Sequence, residues 1–163
     1  QIEPASAALR TTLPAASDSD VEVLVAQGRT PMGSAFAMAR QWLEDKELVP
    51  SRAYRPVLVL VSDGEPTDDW QEPLASLKAS ERGQKATRFA MAIGADADRA
   101  MLRQFTNDLE APVFEADGAR DIVKFFRAVT MSVMARSTNG SPNTAQSLSM
   151  SDDLEDDLDL DAL

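Results

Sequence analysis

The sequence predicts an α/β fold with a mostly parallel sheet flanked by helices. The segment Val57–Val61 is a run of five branched apolar residues. A strand that is apolar on both faces is typical of a parallel sheet with helices on both sides. Apolar residues recur at helical spacing in the segments before and after this run, so strands alternate with helices along the chain. We therefore expect Val57–Val61 to be the central strand of the sheet.

The first predicted helix precedes that strand. Its apolar residues recur at spacings of 4, 3 and 4 and form one stripe, made of Met32, Phe36, Ala39 and Leu43. Thr30 is the predicted N-cap, Pro31 suits the first turn, and the helix ends before Pro50. Further upstream, Val21–Val25 is a strand candidate, although its glutamate is unfavourable for a central strand.

The elements after the central strand alternate in the same way. Leu74 and Leu77 indicate a shorter helix that Gly83 closes. Residues 89–93 read as a second buried strand, which ends at Gly94. The predictions that follow are a helix near 97–106, a short strand at 113–114, and a last helix.

The last helix is the longest. Its predicted core stripe also has spacings of 4, 3 and 4 and consists of Ile122, Phe126, Val129 and Val133. Asp117 is its predicted N-cap. Four methionines of this half of the chain are predicted to fill the core, namely Met91, Met101, Met131 and Met134.

Composition excludes several classes of function. The chain has 163 residues, neither Cys nor His, and a formal net charge of −11. Thiol or imidazole catalysis, disulfides, zinc fingers and serine–histidine triads are therefore excluded, and any metal must be a hard cation bound by oxygen. The acidic balance argues against a nucleic-acid partner. No apolar run approaches the length of a membrane span, so no membrane association is expected.

Charge also divides the chain into three segments. Residues 1–136 form the predicted folded domain, and 137–150 form an uncharged, polar segment that reads as a flexible linker. Residues 151–163 hold seven acids and no base, and leucines alternate with these acids. Two interpretations of this acidic tail stay open: a disordered solubilising segment, or a docking peptide for a basic groove on a partner.

A carboxylate and a hydroxyl are the candidate metal ligands. Asp63 directly follows the Val57–Val61 strand, and ligands of open α/β sheets bind beyond the carboxyl ends of the strands. Thr30 lies in another loop, between Gly28 and Gly33. Both side chains offer the hard oxygens that Mg²⁺ prefers. Taken separately, each segment also fits a common structural role without a metal. Asp63 fits a turn, and Thr30 fits the start of a helix.

Three further acids follow Asp63 closely in the sequence: Glu65, Asp68 and Asp69. They are open to two interpretations, a second cation site or a solvated rim of the loop.

Two segments together resemble the von Willebrand factor type A (VWA) domain family. They are Gly28-Arg29-Thr30-Pro31-Met32-Gly33-Ser34-Ala35, and Val57–Val61 with the following Ser62-Asp63-Gly64-Glu65-Pro66-Thr67-Asp68. The similarity is closest to the intracellular bacterial branch, including the tellurite-resistance-associated type. It implies a Rossmann-like fold and a metal-ion-dependent adhesion site with bound Mg²⁺ or Mn²⁺, to which Thr30 and Asp63 contribute. It further implies that a partner's carboxylate completes the coordination, and that the protein is a cytoplasmic binding module, not an enzyme.

One part of the family pattern is missing. The family's first metal-binding loop reads Asp-x-Ser-x-Ser, and Ser17-Asp18-Ser19-Asp20 does not match it because acids stand where the serines are needed. We expect a truncated domain that lacks the family's first strand and first helix, and the initial Gln1 agrees with this expectation. Mg²⁺ or Mn²⁺ binding by such an incomplete site should be weak or absent.

The sequence therefore leaves three candidate functions. The first is an adaptor that binds proteins through a cation, for which the resemblance implies a protein kinase and a PP2C-type phosphatase as partners. The second is a metal-independent structural or assembly protein with a degenerate site. The third, a metal-dependent hydrolase, lacks any evident general base or nucleophile.

Overall fold

The computed structural model describes residues 29–50, 55–106 and 113–138. Its elements are α1 (Met32–Glu44), β1 (Val57–Ser62), α2 (Gln71–Ala79), α3 (Glu81–Lys85), β2 (Thr87–Ile93), α4 (Arg99–Phe105), β3 (Phe114–Ala116) and α5 (Ala119–Thr138). The strand predicted at Val21–Val25 and the acidic tail lie outside the described residues. The predicted linker does so from residue 139 onward, whereas α5 includes its first two residues.

The chain divides into two compact units. The helical unit comprises residues 1–56 and 64–86 and contains α1, α2 and α3. The sheet unit comprises residues 57–63 and 87–163 and contains the three strands with α4 and α5.

The strands of the sheet unit are all parallel, in the order β1-β2-β3. Val57 is paired with Thr87, and Met91 is paired with Phe114. Helices lie between successive strands in the sequence, as parallel connections require. The predicted α/β fold with a parallel sheet is confirmed.

The position of the Val57–Val61 strand differs from the prediction. Among the three described strands β2 is central, and its residues from Thr87 to Ala92 are all buried. The apolar residues of β1 are only half-buried. The expectation that Val57–Val61 is the central strand is therefore wrong for the described sheet. Apolar composition shows that both faces of a strand avoid water, but it carries no information about which strands lie on either side.

The core of the sheet unit lies where α5 packs beside β2 and β3. Its buried cluster consists of Phe89, Met91, Ala116, Phe125 and Val129. The rings of Phe114 and Phe125 meet at a centroid distance of 5.0 Å, which is within the favourable range for an aromatic pair.

The buried face of α5 is offset from the predicted stripe. Phe126 and Val133 belong to that stripe but are exposed, whereas Phe125 and Ala128 are buried beside Val129. Adjacent residues are separated by about 100° on a helix. Because the two phenylalanines are adjacent and equally apolar, only packing against the sheet decides which one faces inward.

The methionine prediction is right for half of the set. Met91 and Met101 are almost completely buried. Met131 and Met134 are exposed on α5, so their prediction as core residues is wrong.

The helices of the helical unit follow the predicted stripes. Met32, Phe36 and Leu43 of α1 are buried, as are Leu74 and Leu77 of α2. These residues recur at helical spacing, so each helix presents one apolar face to the core.

The predicted role of Gly83 is wrong. This glycine does not close α2, which ends at Ala79, but lies inside α3. A Cβ atom at Gly83 would collide with the carbonyl oxygen of Leu77. The glycine is therefore required by the close approach of two backbones. Ser80 is the N-cap of α3, and its hydroxyl accepts from the Gly83 N–H at 3.1 Å.

Two helices of the sheet unit begin differently from each other. The Asp98 carboxylate accepts from the Met101 N–H at 2.9 Å and caps α4. At α5 the predicted cap by the Asp117 side chain is not formed. The backbone N–H of Asp117 instead donates to the Asp121 carboxylate at 3.1 Å.

A search of the described helices for membrane spans found none that is long and apolar enough to cross a bilayer.

Candidate functional site

The loop that carries Thr30 is held by a backbone hydrogen bond. The helix α1 has Pro31 at its N-cap position, so the prediction that Thr30 caps it is wrong. The Thr30 carbonyl oxygen accepts from the N–H of Thr67 at 2.9 Å and from that of Met32 at 2.9 Å. The first bond joins two segments that lie far apart in the sequence.

Asp68 supplies the cap that Pro31 cannot. Its carboxylate accepts from the Gly33 N–H at 2.8 Å and from the Ser34 N–H at 3.0 Å. The Ser34 hydroxyl lies 3.2 Å from the same carboxylate. A negative charge at a helix N-terminus also interacts favourably with the helix dipole. Asp68 therefore fixes the start of α1 directly after Thr30.

This arrangement changes the interpretation of the acids after Asp63. The Asp68 carboxylate accepts backbone N–H groups with both of its oxygens. Glu65 and Asp69 are exposed. Among the residues that the structure describes, no group of three or more acidic side chains is arranged to hold a metal ion. The interpretation of Asp68 as a ligand in a second cation site is replaced by a capping role.

The hydroxyl of Thr30 lies close to the backbone of Gly64. A Cβ atom at Gly64 would stand 3.6 Å from Thr30 Oγ1, which is ordinary van der Waals contact. Thr30 itself is half-buried. The Thr30 hydroxyl therefore faces the backbone of Gly64, where no side chain stands against it.

Asp63 is exposed and directly follows the last residue of β1. It belongs to the sheet unit, whereas Thr30 belongs to the helical unit. Each side chain has the donor chemistry of a hard cation, but together they supply two of the roughly six oxygens that Mg²⁺ takes. Their pairing in one metal site stays a prediction. Gly28 lies outside the described residues.

A second feature of the sheet unit is the arginine at the start of α4. The Arg99 guanidinium forms an ion pair with the Glu115 carboxylate at 2.8 Å. It also donates to the carbonyl oxygens of Gly94, Ala95 and Ala97 at 2.9 to 3.2 Å. The hydrogen bond to Glu115 raises the pKa of Arg99, so this side chain stays protonated and positively charged. Arg99 thereby orders the loop that follows β2.

A buried cation lies at the other end of β2. Arg88 is 5% exposed, and its Nε donates to the carbonyl oxygen of Phe105 at 2.8 Å. Burial lowers its pKa. The acceptor is the last residue of α4, where carbonyl groups lack partners within the helix and carry partial negative charge. Since Arg88 is at the amino end of the strand, opposite to the end where Asp63 follows β1, we assign it a structural role.

Sequence reasoning missed the roles of Asp68, Arg99 and Arg88. Asp68 is 35 residues away from Gly33, so no local capping pattern reveals it. Arg88 stands directly before the apolar run 89–93 of a buried strand, which is a usable signal of a buried cation with a specific partner.

Comparisons with known proteins agree with the resemblance. A family model described as the von Willebrand factor type A domain matches residues 17–128, which is more than half of the chain. No curated protein and no solved structure matches the chain significantly.

Proposed function

The chain belongs to the von Willebrand factor type A domain family, and on that premise we propose that it is an intracellular adaptor that binds protein partners through a divalent cation. In this proposal Thr30 and Asp63 are the ligands that this chain supplies to Mg²⁺ or Mn²⁺. A carboxylate of the partner provides a further oxygen. The protein is a binding module and not an enzyme, and it acts in the cytoplasm.

The observation that carries this proposal is the way in which the Thr30 loop is fixed. Thr67 holds the carbonyl group of Thr30, Asp68 holds the start of α1 directly after it, and the Thr30 hydroxyl faces Gly64, which has no side chain. A ligand that is held in place before the cation arrives loses less conformational entropy on binding. Asp63, exposed at the carboxyl end of β1, is suited to carry the negative charge of the site.

We expect the affinity of this chain for metal to be low. The Asp-x-Ser-x-Ser pattern of the family's first metal-binding loop does not occur in the 163 residues. One hydroxyl and one carboxylate leave most positions of a six-coordinate Mg²⁺ to water. The partner's carboxylate would therefore contribute much of the binding free energy, which makes the cation a bridge and not a permanent component.

A titration with Mn²⁺ followed by NMR tests the site, because a paramagnetic ion broadens the signals of nearby nuclei even when it binds weakly. We expect selective broadening of the amide signals of Thr30, Asp63 and Gly64. Asp63→Asn should abolish the selectivity. Asp96→Asn is the matched control, since Asp96 is another exposed aspartate of the sheet unit.

Two results would contradict the cation site. One is broadening that is confined to signals of the acidic segment 151–163. The other is tight Mg²⁺ binding in calorimetry that Asp63→Ala leaves unchanged.

A metal-independent assembly protein is the second candidate function. It is favoured by the lack of any grouping of three acids suited to a metal within the described ranges. The two functions differ in their response to chelation. The immobilised chain should release a cation-dependent partner in EDTA and should lose the same partner on Asp63→Asn, whereas an assembly partner stays bound in both cases.

The resemblance also supplies the partners to try first. A protein kinase and a PP2C-type phosphatase are proposed on the family context of the tellurite-resistance-associated type. Purified proteins of these two classes are suitable ligands for the chelation experiment.

A further inference from the structure

The helix α5 carries a second apolar face that is exposed, although its Phe126 ring meets the buried Phe125 ring edge-on at a centroid distance of 5.4 Å. Its buried residues are on the side of Phe125 and Val129. On the other side Phe126 is 45% exposed and Met131 is 65% exposed. Three further exposed apolar residues lie on α5, namely Val123, Val133 and Met134. Val123, Phe126 and Met134 are separated by helical spacings, so they lie along one face.

Basic residues run along one edge of this apolar face, on the side away from Phe126. Arg120, Lys124 and Arg127 recur at spacings of 4 and 3, which places them in one row. On a helix this row is adjacent to Val123 and Met131, since about 100° separates successive residues. Within the described ranges, neither Arg120 nor Arg127 is in an ion pair. We call the exposed apolar residues and this basic row the outer face of α5.

The composition of the acidic tail matches this surface. Residues 151–163 hold seven acids, no base and four leucines. Leu154 and Leu158 are four residues apart, a spacing that places two side chains on one face of a helix. The tail therefore offers apolar groups and negative charges where the outer face of α5 offers apolar groups and positive charges.

We propose that the acidic tail, residues 151–163, docks on the outer face of α5 of its own chain. Its leucines cover Phe126 and Met131, and its carboxylates lie against Arg120 and Arg127. The contact is independent of the cation site. It shields an apolar surface until a partner with a stronger acidic and apolar segment displaces the tail.

The chain between the two segments has a suitable length. Twelve residues, 139–150, separate the end of α5 from the tail, and none of them is charged. A flexible chain of this length spans about 20 Å on average. The distance along α5 from Thr138 back to Val123 is roughly 22 Å, at about 1.5 Å per residue. The effective concentration of a segment tethered in this way is in the millimolar range, so even a weak contact would be populated.

Paramagnetic labelling of the full chain tests this contact. The protein has no cysteine, so Ala162→Cys provides a single site for a nitroxide label at the end of the tail. The methyl signal of Met131 reports on the outer face. We expect a several-fold loss of its intensity relative to the same sample with the label reduced. In about 1 M salt, where the Debye length is about 3 Å, part of the intensity should return.

Two variants with matched controls assign the contact. Replacing Leu154, Leu158 and Leu160 by Ser keeps the charge of the tail and should restore the Met131 signal, whereas Leu148→Ser outside the acidic segment should not. On α5, Phe126→Ser should weaken the effect. Leu48→Ser is its control, because Leu48 is 46% exposed but lies in the helical unit. The substitutions on the described residues are at exposed positions, the others are in 139–163, and circular dichroism verifies that the fold is kept.

Three outcomes would overturn the proposal. The first is an unchanged Met131 signal in the labelled full chain. The second is an equal loss in the triple serine variant, which would show proximity without docking. The third comes from mixing labelled chains with isotopically enriched, unlabelled chains. Signal loss only in that mixture would show that a second copy supplies the tail.

Discussion

The loop before α1 is held by the carboxylate of Asp68, and the loop before α4 is held by the guanidinium of Arg99. The two side chains have opposite charges, and they also differ in how far along the sequence their hydrogen-bond partners lie. Asp68 binds the N–H groups of Gly33 and Ser34, which are more than thirty residues away. Arg99 binds carbonyl groups two to five residues before it, and in addition Glu115. The first contact joins two segments of the chain, whereas the second mostly tightens a single turn.

This difference determines what each contact contributes to stability. Removal of Asp68 leaves the first N–H groups of α1 without their acceptor and separates two segments that only the fold brings together. Removal of Arg99 leaves α4 with its Asp98 cap. The side chains of Arg99 and Glu115 are 34% and 52% exposed, and an ion pair that water reaches gains little free energy. We therefore expect the Asp68 loop to be the more sensitive of the two.

Gly33→Ala should have the largest effect. A Cβ atom at this position would collide with the carbonyl oxygen of Asp69 and stand 3.1 Å from the Asp68 carboxylate. Relief of this collision separates the Asp68 loop from α1, at a cost of about 1–3 kcal/mol in the free energy of unfolding. Urea denaturation measures the loss. Gly118→Ala in the sheet unit is the control, because no atom lies within 4 Å of its Cβ position. Equal losses for both variants would show that the close approach at Gly33 is not important.

Asp68→Ala should follow, with a loss of about 1–2 kcal/mol, the range for removal of a helix cap. Asp68→Asn keeps one oxygen acceptor but loses the charge, so its urea midpoint should lie between those of Asp68→Ala and the parent. The Mn²⁺-induced broadening at Thr30 should weaken in parallel if the cap positions the metal-binding loop. A variant that loses stability but keeps the broadening would assign Asp68 a structural role alone.

The smallest effects are expected at the two ion pairs. In the helical unit Lys85 and Glu81 are joined at 3.0 Å on an exposed helix surface. The hydrogen bond from Lys85 lowers the pKa of Glu81 below 4.5. A lowered folded-state pKa stabilises the fold above the unfolded-state pKa, and this contribution is lost as pH falls through the folded-state value. Glu81→Gln should therefore reduce the stability slightly at neutral pH and have no effect below that window.

The two pairs should differ in their response to salt. Urea midpoints of Glu81→Gln and Arg99→Gln, each at low and high salt, provide the measurement. The Lys85–Glu81 contribution should vanish at high salt, whereas Arg99 keeps the carbonyl bonds that hold its loop. A complete loss of the Arg99 effect in salt would show that those carbonyl bonds add nothing.

The local sequence pattern was sufficient to predict a structure that depends on the residues of one element alone. The stripe of Met32, Phe36 and Leu43 identified α1 and its buried face. Alternation of strands with helices identified the parallel sheet, because a parallel connection needs a crossover. In each case the information lies in the spacing of apolar residues within single elements and in the order of those elements along the chain.

The sequence pattern was insufficient where two apolar residues or two apolar strands could each take the buried position. On α5 the sequence offers Phe125 and Phe126 side by side, and packing against β3 buries the first and exposes the second. Among the three described strands, apolar composition did not distinguish β1 from the central strand β2. Which phenylalanine is buried and which strand is central both depend on the elements that pack against them. Those elements are distant in the sequence, so the local sequence pattern does not identify them.

By itself the sequence determined the type of each main element, the family and the chemistry of the candidate ligands Thr30 and Asp63. Periodicity, turn residues and the two family segments are local properties, and hydroxyl or carboxylate oxygens keep their chemistry wherever the fold places them. Tertiary structure alone decided that Asp68 caps α1, that Arg88 ends up buried against α4, and that α5 turns Phe126 to the solvent. These three outcomes depend on contacts between segments far apart in the chain, and such contacts are selected by the packing of the whole unit.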